Sequence, residues 1–275
     1  MTAIAVTIAG SDSSGGAGIQ ADLKTFSALG VYGASVIVAL TAQNTRGVTA
    51  VHAAPADFVA AQIQAVFSDL TVGAVKIGML ATPDIIKTVA GGLDRWPGAP
   101  VVLDPVMVAQ SGDPLIDDDA VTSLRSQLLP RATVVTPNLP EAARLLETTP
   151  AGDEADMAEQ GRALLGLGAR AVLMKAGHAD GANATDLLVR PDGIERFSAP
   201  RIVTQNTHGT GCTLSSAIAA GLAKGATLTD AVGTAKLYLT EALKAADTLS
   251  IGHGHGPVHH FHAMWPAGRD REAAE

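Results

Sequence analysis

A glycine-rich turn before an apolar helix carries the residues of this chain that are best suited to chemistry. The segment NTHGTGCTLSSAIAAGL, residues 206–222, places Gly209, Thr210, Gly211 and Cys212 where a predicted loop becomes a helix. Backbone N–H groups at a helix N-terminus favour an anion, so the turn predicts a phosphate site. A thiol there has its thiolate favoured, which makes Cys212 a candidate base or nucleophile. The alternative is a structural turn followed by a buried cysteine that acts as a small hydrophobe.

Acidic, amide and basic side chains follow three other predicted strands. VLDPVM places Asp104 at a strand end, TPNLPEAARLLE places Asn138 at another with Glu141 in the next helix, and Lys175 follows AVLM. Isolated acids are commonly caps or solvated side chains, and a single lysine means little. Together on adjacent loops, however, Asp104 and Glu141 have the chemistry to hold a hydrated Mg²⁺, which prefers one or two carboxylates plus phosphate oxygens. Lys175 is then a candidate phosphate partner.

Two further loops offer contacts for a small polar substrate. AGSDSSGGAGIQAD, residues 9–22, matches the dinucleotide-binding glycine pattern only formally, because its glycines do not follow the strand directly. It is either a structural loop or a backbone that lies close to a substrate, with Asp22 on the first turn of a helix. TAQNTRG ends the next strand with Gln43, whose amide suits a planar polar ring, although a plain surface turn is equally consistent with it.

The elements that would position these loops alternate between short apolar strands and longer segments of helical period. AIAVTIAG, GASVIVALTAQ, AVKIGML, PVVLDPVM, ATVVTPN and RAVLMKAG predict strands that are nearly all apolar, as in a parallel sheet covered on both faces. DLLVRPDGIERFSAPRI predicts an antiparallel hairpin around Pro191-Asp192-Gly193. The sequence therefore predicts one doubly wound α/β domain over residues 1–265, and a polar tail over residues 266–275.

Composition excludes several classes of function. The chain has 275 residues, 47% apolar and 17% charged, with a net charge of -8, so no basic face is available for nucleic acid or anionic lipid. No apolar run reaches the roughly 18 residues that a membrane span requires. The single cysteine and an N-terminus without signal-peptide character favour a reducing compartment, and the expected location is the cytoplasm.

Eight segments resemble the hydroxymethylpyrimidine/phosphomethylpyrimidine kinase family of thiamine biosynthesis. The resemblance runs from about Ile4 to Trp265, and it is carried by AGSDSSGGAGIQADLKTFSALG, TAQNTRGV, KIGML, VLDPVM, TPNLPEA, VLMKAGH, NTHGTGCTLSSAIAAGL and GPVHHFH. It implies a ribokinase-like α/β fold with a mostly parallel central sheet, and a homodimer. It also implies ATP, Mg²⁺ and two successive phosphorylations of 4-amino-5-hydroxymethyl-2-methylpyrimidine, first to the monophosphate and then to the diphosphate.

The resemblance also implies roles for individual residues. The pyrimidine would lie among Gly10, Asp22, Gln43, Met79, Val106 and Cys212. Asp104 and Glu141, with Asn138, would organise Mg²⁺ and its waters. Lys175 would bind the ATP phosphates. Residues 209–211 would form the anion hole, and Thr210 would also contact the nucleotide. The adenine would lie near Lys236 and Val258. Most ribokinase-like enzymes carry aspartate at the position of Cys212, which leaves the identity of the base open.

Three alternatives stay open on the sequence. A pyridoxal kinase on the same scaffold is the nearest rival, and Gln43 with Met79 favours an aminopyrimidine over a pyridine aldehyde. A non-catalytic vitamin or nucleotide sensor would have no need of the complete set of charged and glycine residues. The histidines of GHGHGPVHHFH, residues 252–262, suggest a zinc site, but no cysteine or acidic residue joins them.

Overall fold

The computed structural model describes residues 1–109, 112–113, 115–177 and 181–265, and the predicted polar tail lies outside these ranges. In the described residues the strands form one nine-stranded sheet, in the order β3-β2-β1-β4-β5-β6-β7-β8-β9. The strands are β1 Ile4–Asp12, β2 Tyr32–Asn44, β3 Gly47–Ala53, β4 Ala74–Ile77, β5 Val101–Leu103, β6 Val134–Val135, β7 Val172–Met174, β8 Asn183–Arg190 and β9 Gly193–Pro200.

The helices follow the strands in the expected alternation. They are α1 Gly18–Ala28, α2 Ala56–Phe67, α3 Pro83–Arg95, α4 Asp118–Ser123, α5 Leu139–Leu146, α6 Glu154–Gly166, α7 Thr210–Ala223 and α8 Leu228–Lys244. A π-helical turn over Leu124–Leu128 and a 3₁₀ turn over Leu129–Arg131 extend α4, and a second 3₁₀ turn spans Ala246–Thr248. No helix in the described ranges is long and apolar enough to cross a bilayer.

Helices cover both faces of the sheet. Side chains such as Val6 and Ile8 pack with α2, α3, α5 and α6 in one apolar cluster. Neighbouring strand residues such as Ala5 point the other way and pack with α1, α7 and α8 in a second cluster. Because both faces are buried, the strands need apolar residues at nearly every position. The predicted α/β class, with a mostly parallel sheet between two helical layers, is confirmed.

The sheet has more antiparallel pairing than the sequence predicted. The predicted hairpin is confirmed, since β8 pairs with β9 and Arg190 lies opposite Gly193. The structure adds a second hairpin, in which β2 pairs with β3, and an antiparallel pair between β7 and β8. The prediction missed β3 because four of its seven residues are exposed, so the segment lacks the apolar run of a buried strand.

The carboxyl ends of the central parallel strands meet at the place where the chain order reverses. Strand β1 pairs in parallel with both β2 and β4, and β5, β6 and β7 continue in parallel on one side. Such a switch point leaves a crevice outside the strand ends, where ligands bind in open α/β sheets. The polar loops that contain Gln43, Asp104, Asn138 and Lys175 leave from these strand ends, whereas the glycine turn before α7 follows the antiparallel strand β9.

Candidate active site

One cavity of about 380 Å³ opens over the carboxyl ends of the parallel strands. All but two of the predicted site residues line it, namely Gly10, Gln43, Met79, Asp104, Val106, Asn138, Glu141, Lys175, Gly209, Thr210, Gly211, Cys212 and Lys236. The two exceptions, Asp22 and Val258, are fully buried away from the cavity. The structure therefore brings the predicted set together, while the role of each residue stays a prediction.

The glycine turn begins α7 and presents free backbone donors. Gly209 is the N-terminal cap residue with a φ of 81°, a left-handed conformation that favours glycine. A Cβ on Gly211 would lie 3.3 Å from Lys175 Nζ and 3.5 Å from Asp104 Oδ2, so the charged side chains face this turn. Within the described residues, no backbone carbonyl accepts the N–H of Gly211 or of Cys212. Two donors at the positive end of a helix make a site for an anion.

Asp104, Lys175 and Glu141 form a buried charge cluster beside this turn. Lys175 Nζ donates to Asp104 Oδ1 at 2.9 Å and lies 4.0 Å from Glu141 Oε2. Thr136 and Ser215 each donate a hydroxyl to Asp104, at 3.2 Å in both cases. Burial alone would raise the pKa of Asp104, but the charges of Lys175 and Lys76 and the hydrogen bonds from Lys175 and Thr136 hold it below its usual value. Asp104 is therefore a carboxylate with several partners already engaged.

Asn138 and Glu141 are fixed by a capping box at the start of α5. The Asn138 side chain accepts the N–H of Glu141 at 2.8 Å, and Glu141 Oε2 accepts the N–H of Asn138 at 2.8 Å. Burial raises the pKa of Glu141 to about 7, opposed by the charge of Lys175 and assisted by that of Asp104. No hydrogen bond within the described ranges reaches Glu141 Oε1, which leaves this oxygen available to a ligand.

The Cys212 thiol is held in its neutral form. Burial raises its pKa to about 11, although the charge of Lys76 and the N–H of Gly18 lower it. The charges of Asp22 and Asp104 add to the upward shift. The expectation that the helix N-terminus favours a thiolate is therefore wrong for this structure, because loss of hydration outweighs the nearby positive charges.

A buried ion pair that the sequence did not predict lies under the cavity. Lys76 of β4 is 0% exposed, and its Nζ donates to Asp22 Oδ2 at 2.9 Å. Thr7 donates a hydroxyl to Asp22 Oδ2 and Ser216 donates one to Oδ1, both at 2.6 Å. The Asp22 carboxylate is thus engaged by protein groups, and its predicted direct contact with substrate stays a prediction. The available signal was a lysine within the apolar strand AVKIGML.

Breaking this pair should destabilise the protein strongly. Lys76→Met leaves Asp22 as an uncompensated buried charge, so we expect the free energy of unfolding to fall by about 3–5 kcal/mol. Lys244→Met is the matched control, because Lys244 pairs with Glu241 at a similar distance of 2.8 Å on an exposed helix face. Denaturant titration of both variants measures the difference. Equal stabilities would contradict the description of Lys76 as a buried charge.

The residues predicted for the adenine end lie in different environments. Lys236 of α8 lines the cavity and donates to Asp186 Oδ2 at 2.7 Å, and Asp186 Oδ1 also accepts the N–H of Ala176. Val258 packs in the core between the sheet and α7 and α8, and its N–H donates to the carbonyl of His208. Val258 therefore supports the backbone of His208 just before the glycine turn, and its predicted contact with adenine stays a prediction.

Four of the residues that line the cavity, Gly10, Gln43, Met79 and Val106, are those predicted to contact the pyrimidine, and they are called the slot. Met79 packs directly on the backbone of Gly10, since a Cβ there would lie 2.8 Å from Met79 Cε. The Thr41 hydroxyl lies 3.0 Å from Gln43 Oε1 and 2.9 Å from the carbonyl oxygen of Ser11, so the Gln43 amide shares this donor. Val106, which follows β5, supplies an apolar side chain to the lining. An apolar slot with one amide suits a flat heterocycle that has a polar edge.

The C-terminal histidines do not assemble into a metal cluster in the described part of the chain. There, no group of three or more histidine, cysteine or acidic side chains is arranged to hold a metal ion. His259 and His260 are buried, and burial lowers the pKa of His260 to about 3. The His260 ring is hydrogen-bonded to the Thr213 hydroxyl at 3.1 Å.

The fold and the cavity together define a class. A mostly parallel α/β sheet, with a helix start that has free backbone donors and with a buried lysine and carboxylates at one edge, is the arrangement of a phosphotransferase with a ribokinase-like fold. A family model described as phosphomethylpyrimidine kinase matches residues 12–259. The chain belongs to this phosphomethylpyrimidine kinase family, and it is a phosphotransferase.

Individual relatives agree with this assignment. The hydroxymethylpyrimidine/phosphomethylpyrimidine kinase of Rhizobium meliloti is 63% identical over 265 residues, which cover 96% of this chain and 99% of the relative. The crystal structure of phosphomethylpyrimidine kinase from Clostridium difficile has 46% identity and a TM-score of 0.78, and the match covers 87% of this chain and 99% of that one. An ADP complex of Bacillus subtilis pyridoxal kinase has 38% identity and a TM-score of 0.88, with coverage of 94% and 98%.

Proposed function

We propose that the protein transfers the γ-phosphoryl group of ATP to 4-amino-5-hydroxymethyl-2-methylpyrimidine, and then a second phosphoryl group to the monophosphate. In the first step the hydroxyl oxygen forms a bond to the γ-phosphorus, the bond to the β,γ-bridging oxygen breaks, and ADP leaves. The hydroxyl proton passes to a base or to solvent. In the second step a phosphate oxygen of the monophosphate attacks in the same way and yields the diphosphate for thiamine biosynthesis.

The observation that carries this proposal is that the glycine turn lines the same cavity as the slot and the Lys175 cluster. The N–H groups of Gly211 and Cys212 have no carbonyl partner among the described residues, and a Cβ on Gly211 would lie 3.3 Å from Lys175 Nζ. Phosphoryl transfer needs little covalent help from a protein, and it depends on alignment and on the stabilisation of charge on the transferred group. The turn and Lys175 supply that stabilisation, while the slot orients the acceptor.

The residues present fit a magnesium ion. Two buried carboxylates, Asp104 and Glu141, supply the hard oxygen ligands that Mg²⁺ prefers, and Glu141 Oε1 is free among the described residues. We propose that these two residues, with Asn138, hold Mg²⁺ through its waters. When bound, the ion supplies positive charge at the phosphate oxygens. Lys175 keeps its proton beside Asp104, because the two neighbouring carboxylates raise its pKa against the effect of burial.

Cys212 is the candidate base for the first step. A neutral thiol can take part only if its proton is lost before or during the attack of the hydroxyl. The charge of Lys76 and the N–H of Gly18 both favour that loss. The monophosphate needs no such base, because a phosphate oxygen is already largely ionised near pH 7. The two substrates therefore place different demands on the same residue.

A pyridoxal kinase is the second candidate function. The solved pyridoxal kinase of Bacillus subtilis has a TM-score of 0.88 with this chain, which favours a related substrate pocket. The amide of Gln43 supports the aminopyrimidine, because it offers a donor and an acceptor to adjacent ring and amino nitrogens.

We further propose that residues 1–265 form a single domain, that the enzyme is a homodimer in the cytoplasm, and that it has no nucleic-acid or membrane partner.

ADP release distinguishes the candidates. The protein is mixed with MgATP and, separately, with hydroxymethylpyrimidine, its monophosphate and pyridoxal. The proposal predicts ADP release with both pyrimidines and a lower kcat/KM with pyridoxal. A higher kcat/KM with pyridoxal, without turnover of either pyrimidine, would establish the second candidate instead.

Removal of the Gln43 amide should weaken pyrimidine binding. Gln43→Leu strands the polar edge of the aminopyrimidine, so we expect a loss of about 1–3 kcal/mol in binding free energy with little change for ATP. Gln160→Leu in α6 is the control, since Gln160 lies outside the cavity. Titration calorimetry with hydroxymethylpyrimidine measures both. Unchanged pyrimidine affinity in Gln43→Leu would show that this loop is not the pyrimidine site.

A further inference from the structure

A single carboxylate joins two loops that are distant in the sequence. Asp12 ends β1 and begins the substrate loop, residues 12–18, while His208 begins the anion loop, residues 208–211. His208 Nε2 and Asp12 Oδ2 are 2.8 Å apart, and the two residues are 5% and 2% exposed. The bond crosses 196 residues of sequence and connects the loop under the predicted pyrimidine slot to the turn that binds phosphate.

Asp12 organises its own loop with its remaining hydrogen-bonding capacity. Its Oδ1 accepts the N–H and the hydroxyl of Ser14, at 2.8 and 2.7 Å. Its Oδ2 accepts the N–H groups of Gly16 and Ala17, at 3.1 and 2.8 Å. Burial raises the pKa of Asp12, but the bonds from His208, Ser14 and Ala17 bring it well below its usual value. Asp12 is therefore an ionised acceptor, His208 Nε2 is the donor, and the carboxylate is fully engaged with protein groups.

The two loops also fit together without space for side chains. A Cβ on Gly16 would lie 2.2 Å from His208 Cδ2, so the imidazole ring rests on the backbone of the substrate loop. A Cβ on Gly209 would lie 1.9 Å from the carbonyl oxygen of Gly16. Real Cβ atoms do not approach other atoms so closely, and both positions therefore require glycine for packing.

The backbone of His208 is held from the opposite side. Its N–H donates to the carbonyl of Gly256 at 3.0 Å, and its carbonyl accepts the N–H of Val258 at 3.3 Å. The C-terminal segment thus fixes the His208 backbone, and the His208 ring in turn holds Asp12 in place through the hydrogen bond between Nε2 and Oδ2. On the far side of the substrate loop, the N–H of Gly18 reaches the Cys212 thiol.

We infer that Asp12 and His208 are a positioning pair that aligns the substrate loop with the anion loop, so that the acceptor hydroxyl meets the phosphoryl group held by Gly211 and Cys212. The inference rests on the proposed function for its kinetic consequence, and on the two loops alone for its structural consequence. Both residues line the cavity, but both oxygens of the Asp12 carboxylate and the Nε2 of His208 are engaged by protein groups. The pair therefore acts through the loops that it joins.

The kinetic test separates alignment from simple stability. His208→Leu should lower kcat for the pyrimidine by about 10²-fold, the cost of roughly 1 Å of misplacement, with a much smaller change in KM for either substrate. His208→Gln keeps an amide donor near the position of Nε2 and should restore most of the lost turnover. His260→Leu is the matched control, because it removes another buried histidine with one ring hydrogen bond outside the cavity. It should lower the melting temperature and leave kcat of the folded enzyme unchanged.

Hydrogen exchange provides a test that does not require turnover. His208→Leu should speed amide exchange in peptides that cover residues 12–18 as well as in those that cover residues 208–213, and His260→Leu should leave residues 12–18 unchanged. Unchanged exchange in residues 12–18 of a folded His208→Leu variant would overturn the inference, whatever the substrate of the enzyme. Wild-type kcat in that variant would overturn it equally. Absence of pyrimidine turnover in the wild type would contradict the proposed function alone.

Discussion

Replacement of Gly211 by valine should abolish both phosphorylations in a protein that still folds and binds the pyrimidine. Gly211 lies in the first turn of α7, and its φ is not in the left-handed region, so the helical backbone itself tolerates a side chain. A Cβ would already lie 3.3 Å from Lys175 Nζ, and the two methyl groups of valine would occupy the place of the phosphate. We expect turnover to fall by at least about 10³-fold, since removal of a single such donor costs 10²–10³-fold.

Steady-state kinetics with both substrates, together with calorimetry of pyrimidine binding, measures this effect. Gly91→Val is the control, because Gly91 lies within helix α3 and a Cβ there would contact nothing within 4 Å. Gly211→Ala should retain more activity than Gly211→Val, since its single methyl group fits with a small shift of the Lys175 ammonium. Near-normal turnover in folded Gly211→Val would exclude the turn as the phosphate site.

Loss of the Cys212 thiol should affect the two phosphorylations unequally. If the thiol accepts the hydroxyl proton, Cys212→Ala should lower turnover of the hydroxymethyl substrate by about 10²–10⁴-fold, the usual contribution of positioned proton transfer. The monophosphate should lose much less, because its attacking oxygen is largely ionised near pH 7. Cys212→Asp should restore part of the first activity unless the carboxylate repels the incoming phosphates.

The pH dependence of kcat/KM provides a second test of the role of Cys212. Because the pKa of Cys212 is raised to about 11, its thiolate fraction grows about tenfold per pH unit between pH 7 and pH 10. A base in the free enzyme governs kcat/KM, so kcat/KM for the hydroxymethyl substrate should rise across this range. The rise should be absent in Cys212→Ala and with the monophosphate. Equal losses on both substrates, with no change in pH dependence, would mean that Cys212 only packs against the pyrimidine.

The sequence was sufficient for the central parallel strands and for the residues at their ends, because both follow from local patterns. Buried parallel strands must be apolar, and their carboxyl ends share one edge, so Asp104, Asn138 and Lys175 could be placed near one another before any coordinates were known. Strand β3 escaped prediction because it is largely exposed and lacks that pattern. Its pairing with β2 depends on tertiary context that overrides a weak local preference.

Charge states and contacts that depend on burial could not be predicted from local sequence patterns. The sequence indicated a favoured thiolate at Cys212, but the packed surroundings raise its pKa instead. It indicated that Asp22 contacts the substrate, but Lys76, Thr7 and Ser216 engage its carboxylate. Each outcome depends on which distant side chains meet in the folded chain, and desolvation then decides the charge state. The glycine motifs gave the positions of the loops, but not the contact between them.

A time course of product formation from hydroxymethylpyrimidine and excess MgATP tests the central claim most directly. ³¹P nuclear magnetic resonance follows the monophosphate, the diphosphate and ADP in one sample, with Gly211→Val as the inactive control. We predict that the monophosphate appears first and is then converted into the diphosphate, with two molecules of ADP formed per molecule of pyrimidine consumed. Absence of any phosphorylated pyrimidine from a folded enzyme that phosphorylates pyridoxal would contradict the claim.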